Sequence, residues 1–290
     1  MNDSRSIRNG FPQTKLPWFF RINFPHAHLA MLLALTIGCG TQPTPRDKVS
    51  QTNVLESREL TVAAASDLKF VLDEIISDFE RQVSQVHIKA TYGSSGNFFA
   101  QLSNKAPFDV FLSADVAYPQ KLAELGLADS NSLFSYAIGS LVVWVPNAST
   151  LNVEQDGVNI INDPSVKKIA IANPKHAPYG RAAEAALKQL GVYDQSVSRF
   201  VLGENVAQTA LFIETGAADA GIISRSLALS PALRDKGRYA IIPLSAHPPI
   251  EQGGAIMIWT KERVLAEQFC QFLTSEQSCK TFKTHGFSLP

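Results

Sequence analysis

From Leu60 onward, short apolar runs alternate with amphipathic segments, and this alternation narrows the fold more than anything else in the chain. Nine runs have strand length and apolar content: 60–65, 86–92, 108–112, 140–145, 168–172, 200–202, 220–223, 239–243 and 255–259. Between the first two, Leu68, Val71, Leu72, Ile75, Ile76 and Phe79 recur at three- and four-residue steps, which predicts a helix over 68–79. Further helices are expected over 182–190 and 206–215, with Gly191 and Gly216 where a C-terminal cap glycine belongs. Strand and helix in alternation read as an α/β protein with mainly parallel sheets. Nine strands exceed an ordinary single sheet, so two lobes are expected, although the pattern does not locate their boundary.

The first 38 residues read as an export signal. Arg5, Arg8, Lys15 and Arg21 precede an apolar run over 29–38. That run is short of the roughly 20 residues of a membrane-spanning helix. It ends in Thr36-Ile37-Gly38-Cys39, which resembles the lipobox of bacterial lipoproteins and implies lipidation of Cys39. Thr36 departs from the larger aliphatic residue usual there. The polar, proline-containing stretch 39–59 suits a flexible tether. A domain held at a membrane by a lipid alone, in the periplasm or on the cell surface, is the expected arrangement.

The 26 basic and 26 acidic residues cancel, which argues against a nucleic-acid binder. Cys270 and Cys279 lie nine apart, either as an exported disulfide or as two free thiols. No CxxC or Cys/His cluster is present, so no structural metal is expected.

Four expected strand-to-helix junctions carry small or hydroxyl residues: AAASD (63–67), YGSSGN (92–97), HAPYG (176–180) and GENVAQ (203–208). In open α/β sheets, ligands bind beyond the carboxyl ends of strands. A helix start offers unpaired N–H groups and the positive end of the helix dipole, the outline of an anion site. Asn205 and Gln208 form a capping-box-like pair that puts Val206 at the first helical position. Pro178 suits a first turn, leaving the Tyr179 amide facing outward. Ordinary helix caps look the same, and the residues alone leave both readings open.

At these residues the sequence resembles the periplasmic molybdate-binding proteins of ABC transporters. The likeness runs from about residue 60 to 290, through AAASDL (63–68), YGSSGNFFAQL (92–102), APFDVFLSAD (106–115), GSLVVWVP (139–146), ANPKHAPYGRAAEAAL (172–187), GENVAQTALFIETGAADAGI (203–222) and HGF (285–287). It implies a two-lobe periplasmic binding protein of type II-like fold, hinged, with the ligand in the interlobe cleft. Lobe I would be 60–137 plus 247–290, and lobe II 138–246. Ser66 and Ser95 would give hydroxyl and amide donors, and Tyr179 and Val206 amides. Ser224 stands where many members carry a tyrosine and is a tentative further contact. The implied function is capture of molybdate or tungstate by neutral donors, without a cofactor, by a monomer that serves an ABC permease.

Other residues are expected to be bland. Asp67 would face solvent in a helix's first turn, Arg181 would point outward, and His176 and His285 would sit in loops or at the surface. An enzyme is disfavoured, because Gly93-Ser94-Ser95-Gly96 is one residue short of a G-x-S-x-G nucleophile turn and no histidine is tied to it. The remaining alternatives are another oxyanion, sulfate or phosphate, or a sensor of the same fold.

Overall fold

The computed structural model describes residues 57–290. The export segment, Cys39 and most of the tether lie outside the described residues. Ten strands run in chain order: β1 (Arg58–Ala65), β2 (Val86–Gly93), β3 (Val110–Ser113), β4 (Phe134–Gly139), β5 (Leu141–Pro146), β6 (Ile169–Ala172), β7 (Phe200–Gly203), β8 (Ala220–Ser224), β9 (Gly237–Ile241) and β10 (Ile250–Ile256). The helices are α1 (Lys69–Gln82), α2 (Ser95–Ser103), α3 (Ala117–Glu124), α4 (Val153–Asp156), α5 (Pro178–Gln189), α6 (Val206–Glu214), α7 (Arg225–Ala228), α8 (Arg263–Leu273) and α9 (Glu276–Thr284).

The strands form two five-stranded sheets, in the orders β2-β1-β3-β10-β4 and β7-β6-β8-β5-β9. This is the mixed α/β, two-lobe architecture the sequence led us to expect. The sheets are not mainly parallel, however. β1 pairs parallel with β2 and β3, and β6 with β7 and β8, but β10 and β5 run antiparallel to both of their neighbours. Each sheet therefore has a parallel half closed by strands that arrive from, or return to, the other lobe.

Those strands mark the crossings. Ser140 alone separates β4 from β5, which lie in different sheets, and residues 242–249 join β9 back to β10. β4 is absent from the sequence reading, because its apolar residues run almost without a break into those of β5. β10 begins five residues before its expected start, since Glu251, Gln252 and two glycines disguise it. β1 begins at Arg58, inside the expected tether.

Burial explains the apolar runs. In β1, Leu60, Val62 and Ala64 face a core that includes Leu72, Ile75 and Phe79 of α1 with Phe269 and Phe282 of α8 and α9. Ala63 faces the opposite way, onto Phe98 and Leu102 of α2 and Leu122 of α3. A strand covered on both faces loses the alternation of a half-exposed one, which is why this stretch reads as continuously apolar.

Candidate functional site

Strand register brings the four junctions together. Ala65 at the end of β1 lies opposite Gly93 at the end of β2, so the chain leaves both strands at one level, towards Ser66 and Ser95. Ala172 lies opposite Gly203 in the other sheet, and the chain there leads to Tyr179 and Val206.

Each of these residues opens a helix. Ser66 begins the 3-10 turn 66–68 that feeds α1, Ser95 begins α2, Tyr179 follows Pro178 in α5, and Val206 begins α6. An amide at the first or second position has no carbonyl one turn back to bind. None of the four donates to a backbone carbonyl across a turn, loop or cap. At α6 the cap is made by Asn205, whose side chain accepts from the Ala207 and Gln208 amides, while Gln208 Oε1 accepts from the Glu204 amide (2.6 Å). The box expected from sequence forms, shifted by one residue on its return arm.

The two serines are oriented as donors. Ser95 Oγ accepts from the Ala114 amide (3.0 Å) and Ser66 Oγ from the Ala207 amide (3.4 Å). Neither hydroxyl donates to another group among the described residues, so both O–H protons are free for a ligand.

Ser66, Ser95, Tyr179 and Val206 line one cavity, with Asp67, Ser94 and Asn205 among its other walls. Its cavity volume is about 10 Å³, far below the roughly 300–1,000 Å³ of pockets that hold drug-sized molecules. The site is tight, and only a small group suits it. Among the described residues its wall contains no lysine, arginine or histidine, so attraction for an anion has to come from helix starts and hydroxyls. A larger cleft of about 420 Å³ nearby, bordered by Asp115, Arg181 and Glu251, shows no such convergence of donors.

Asp67 is the one ionisable carboxyl on that wall, and it does not face solvent as the first-turn position suggests. It is 2% exposed. Tyr179 Oη donates to Asp67 Oδ2 from the other lobe (2.9 Å), and Gln252 Nε2 donates to the same oxygen (2.6 Å). Asp67 Oδ1 is buried with no partner. Burial pushes the carboxyl up from 3.8 to about 6, against the lowering effect of the Gln252 and Tyr179 hydrogen bonds. Burial, and then the nearby Asp67 charge, drive the Tyr179 and Tyr136 hydroxyls well above their ordinary value.

The lobes meet along a seam beside the cavity. The His176 carbonyl accepts from Ser94 Oγ (2.6 Å) and from the Gly96 amide (2.9 Å), and Asn97 Nδ2 donates to Glu204 Oε1 (3.0 Å). A Cβ on Gly96 would stand 2.4 Å from that carbonyl oxygen, so only glycine permits the approach. Arg181 does not point away from the molecule. It reaches across to Asp115 Oδ2 (2.5 Å) and Tyr118 Oη (3.1 Å), at 39% side-chain exposure. His176 is half-buried in its loop, its ring meeting the Glu204 carbonyl, and His285 pairs with Glu74.

Ser224 lies outside the cavity. As the last residue of β8 it is fully buried, it caps α7 by accepting from the Leu227 amide (3.3 Å), and its hydroxyl pairs with Ser226 Oγ (3.0 Å), to which it donates because the Ser226 proton goes to the Asp67 carbonyl. With its oxygen engaged below the site, it does not replace a tyrosine contact. Ser226 reaches lobe I instead, donating to the Asp67 carbonyl (2.9 Å). Sequence reasoning missed Asp67, Ser226 and Gln252. None of the three left a local signal: even Gln252 sits beside Glu251 in a stretch that does not read as a strand. Cys270 is buried and Cys279 half-buried, both as free thiols. Among the described residues no group of three or more His, Cys, Asp or Glu is placed to hold a metal ion, and no helix is long and apolar enough to cross a membrane.

Comparison with known proteins places this geometry among relatives. Residues 60–288 match the profile of a family described as bacterial extracellular solute-binding protein. The molybdate-binding protein ModA of Azotobacter vinelandii is 32% identical over 234 residues, 81% of this chain and 91% of that protein. A putative ABC transporter substrate-binding lipoprotein of Bacillus subtilis, YvgL, is 28% identical over 256 residues, 88% of this chain and 93% of the other. The solved structure of the periplasmic molybdate-binding protein of Azotobacter vinelandii superposes with a TM-score of 0.74 at 33% identity, covering 80% of this chain and 99% of that one.

Proposed function

The chain belongs to the bacterial extracellular solute-binding proteins, and on that premise we propose that it captures molybdate or tungstate outside the cytoplasm and delivers it to an ABC-transporter permease. The observation that carries this is the convergence of four helix starts, two from each lobe, on one small void whose wall, among the described residues, holds no cationic side chain. Ser66 and Ser95 give hydroxyl and amide, and Tyr179 and Val206 give amides. A buried dianion costs several kcal/mol in lost hydration. Hydrogen bonds to a charged group return roughly 1.5–3 kcal/mol each, so six donors give about 9–18 kcal/mol gross. That leaves room for micromolar to nanomolar binding, roughly −8 to −12 kcal/mol. The protein needs no cofactor for this and works as a monomer. We assign it no catalysis: Ser95 has no base beside it, and the ring of nearby His176 is held by the Glu204 carbonyl.

Cys39 is the proposed lipid attachment point, and the likeness to a relative named as a lipoprotein supports it. Loss of acyl mass in Cys39→Ala, read by mass spectrometry of the membrane fraction, tests the anchor.

One feature favours a protonated oxyanion such as phosphate: Asp67 Oδ1, buried and unpartnered on a residue of the cavity wall, is an acceptor rather than a donor. Calorimetric titration of the purified protein with molybdate, tungstate, sulfate and phosphate decides among them. Molybdate and tungstate are expected to bind at least about a hundredfold tighter than the other two, a gap of about 3 kcal/mol. Phosphate or sulfate binding as tightly as molybdate refutes the specificity.

A further inference from the structure

We propose that Asp67 is a positioning residue: with Gln252 it seats the Tyr179 hydroxyl across the cleft, and so sets the Tyr179 amide at the cavity as the lobes close. The proposal rests on the anion-site reading for what that amide does, but the latch itself is argued from other contacts.

Asp67 adjoins Ser66, and Tyr179 carries one of the two lobe II amides. The bond between Tyr179 Oη and Asp67 Oδ2 therefore ties one ligand-bearing segment of each lobe to the other (2.9 Å). Gln252 lies in β10, the strand that returns from lobe II. It donates to Asp67 Oδ2 (2.6 Å) and to Tyr179 Oη (3.2 Å), closing a three-membered network. Tyr136 Oη lies 3.2 Å from Gln252 Oε1 and shares its one proton between that oxygen and the Ser113 carbonyl (3.0 Å). A second lobe II group, Ser226 Oγ, holds the Asp67 carbonyl (2.9 Å).

The backbone reserves the space for this phenol. Gly139 ends β4 immediately before the chain crosses to lobe II, and a Cβ there would stand 2.1 Å from Tyr179 Oη and 3.2 Å from Gln252 Nε2. No ion pair includes Asp67 among the described residues, so neutral donors, the Gln252 and Tyr179 side chains foremost and a backbone amide after them, stabilise its carboxylate. Parting the lobes takes the Tyr179 donor away and leaves a carboxylate in the wall with Gln252 as its one side-chain donor. Parted lobes admit water to that oxygen, so on closure the Tyr179 donor takes the place of water, and the bond exists only in the closed arrangement.

The test is a double-mutant cycle read in ligand affinity. Molybdate dissociation constants are measured for wild type, Tyr179→Phe, Asp67→Asn and the double variant, with thermal unfolding of each ligand-free protein as the folding control. Tyr179→Phe keeps its backbone N–H, yet it is expected to weaken binding roughly tenfold or more. The double variant should bind no worse than the weaker single variant, because no carboxylate is left without its Tyr179 donor. Gly139→Ala should weaken binding as Tyr179→Phe does, and Gly139→Ala/Tyr179→Phe should recover part of the loss, since phenylalanine vacates the contested space. Multiplicative losses in the cycle, Tyr179→Phe within about twofold of wild type, or no recovery in the glycine pair each overturn the latch. Should wild type not bind molybdate at all, the oxyanion reading falls on its own. The latch is then read by small-angle scattering without ligand, where a larger radius of gyration in Tyr179→Phe supports it and an unchanged radius overturns it.

Discussion

At the scale of single residues, donors and caps with the same chemistry part company by what they touch. Ser66→Ala and Ser95→Ala each remove one hydroxyl donor and leave the amide beneath it. Each is expected to weaken molybdate binding by about 1.5–3 kcal/mol, measured by calorimetry. Ser224→Ala removes a helix cap from a residue outside the cavity. It should lower stability by about 1 kcal/mol in urea unfolding and leave the dissociation constant unchanged. Asp67 predicts a pH signature. Its carboxyl stands at about 6 in the folded protein against an ordinary 3.8, so the native state holds the proton over that interval. The stability it contributes is complete below about pH 4 and is lost as pH rises to about 6, a loss of about 3 kcal/mol. Relative to wild type, Asp67→Asn should therefore gain about that much between pH 4 and pH 7 in urea unfolding. A difference that stays flat with pH contradicts the assignment. The contrast between these residues also marks what a sequence can tell. Val206 and Tyr179 were legible because Asn205, Gln208 and Pro178 are their immediate neighbours and capping is local chemistry. Asp67 was not, because Tyr179 and Gln252, which bury and bind it, lie 112 and 185 positions away.

At the scale of elements, the start of α2 joins local structure to closure. Gly96 is its second residue, and its amide binds the His176 carbonyl of the opposite lobe. In Gly96→Ala the new methyl would stand 2.4 Å from that oxygen, so the seam cannot form as it does here. Alanine suits a helix, and the variant should unfold within about 1 kcal/mol of wild type. Its molybdate affinity should nonetheless fall at least tenfold, about 1.4 kcal/mol. Unaltered affinity would show that the lobes close without this contact. Strand recognition followed the same division between local and distant. β1 and β6 announce themselves by continuous apolar sequence. β4 and β5 are fused into one apolar stretch, and nothing in Phe134–Pro146 declares that Ser140 divides two sheets. The antiparallel pairing of β5 and β10 depends on where the chain returns, which no periodicity encodes.

For the whole molecule, the ion pair of Arg181 with Asp115 adds a seam contact away from the ligand. It is part-exposed, so its worth is small, about 0–1 kcal/mol, and salt screens it. Arg181→Ala should weaken molybdate binding by no more than about fivefold at low salt, and the difference from wild type should shrink as ionic strength rises. An effect that grows with salt would place the role of Arg181 elsewhere. The two-lobe plan was legible from the number of strands, and the clamp itself was not, because every bond across it joins segments distant in sequence.

The single residue between β4 and β5 has a mechanical consequence. One peptide unit reaches only about 3.3–3.6 Å even when fully extended, so the lobes cannot slide apart at Ser140. Any opening is therefore a swing, like a book about its spine, with the longer 242–249 strap taking up the slack. In such a swing the wall far from Gly139 travels furthest and the wall beside it scarcely moves. On the proposed function, the fore-edge is then the side by which an anion passes.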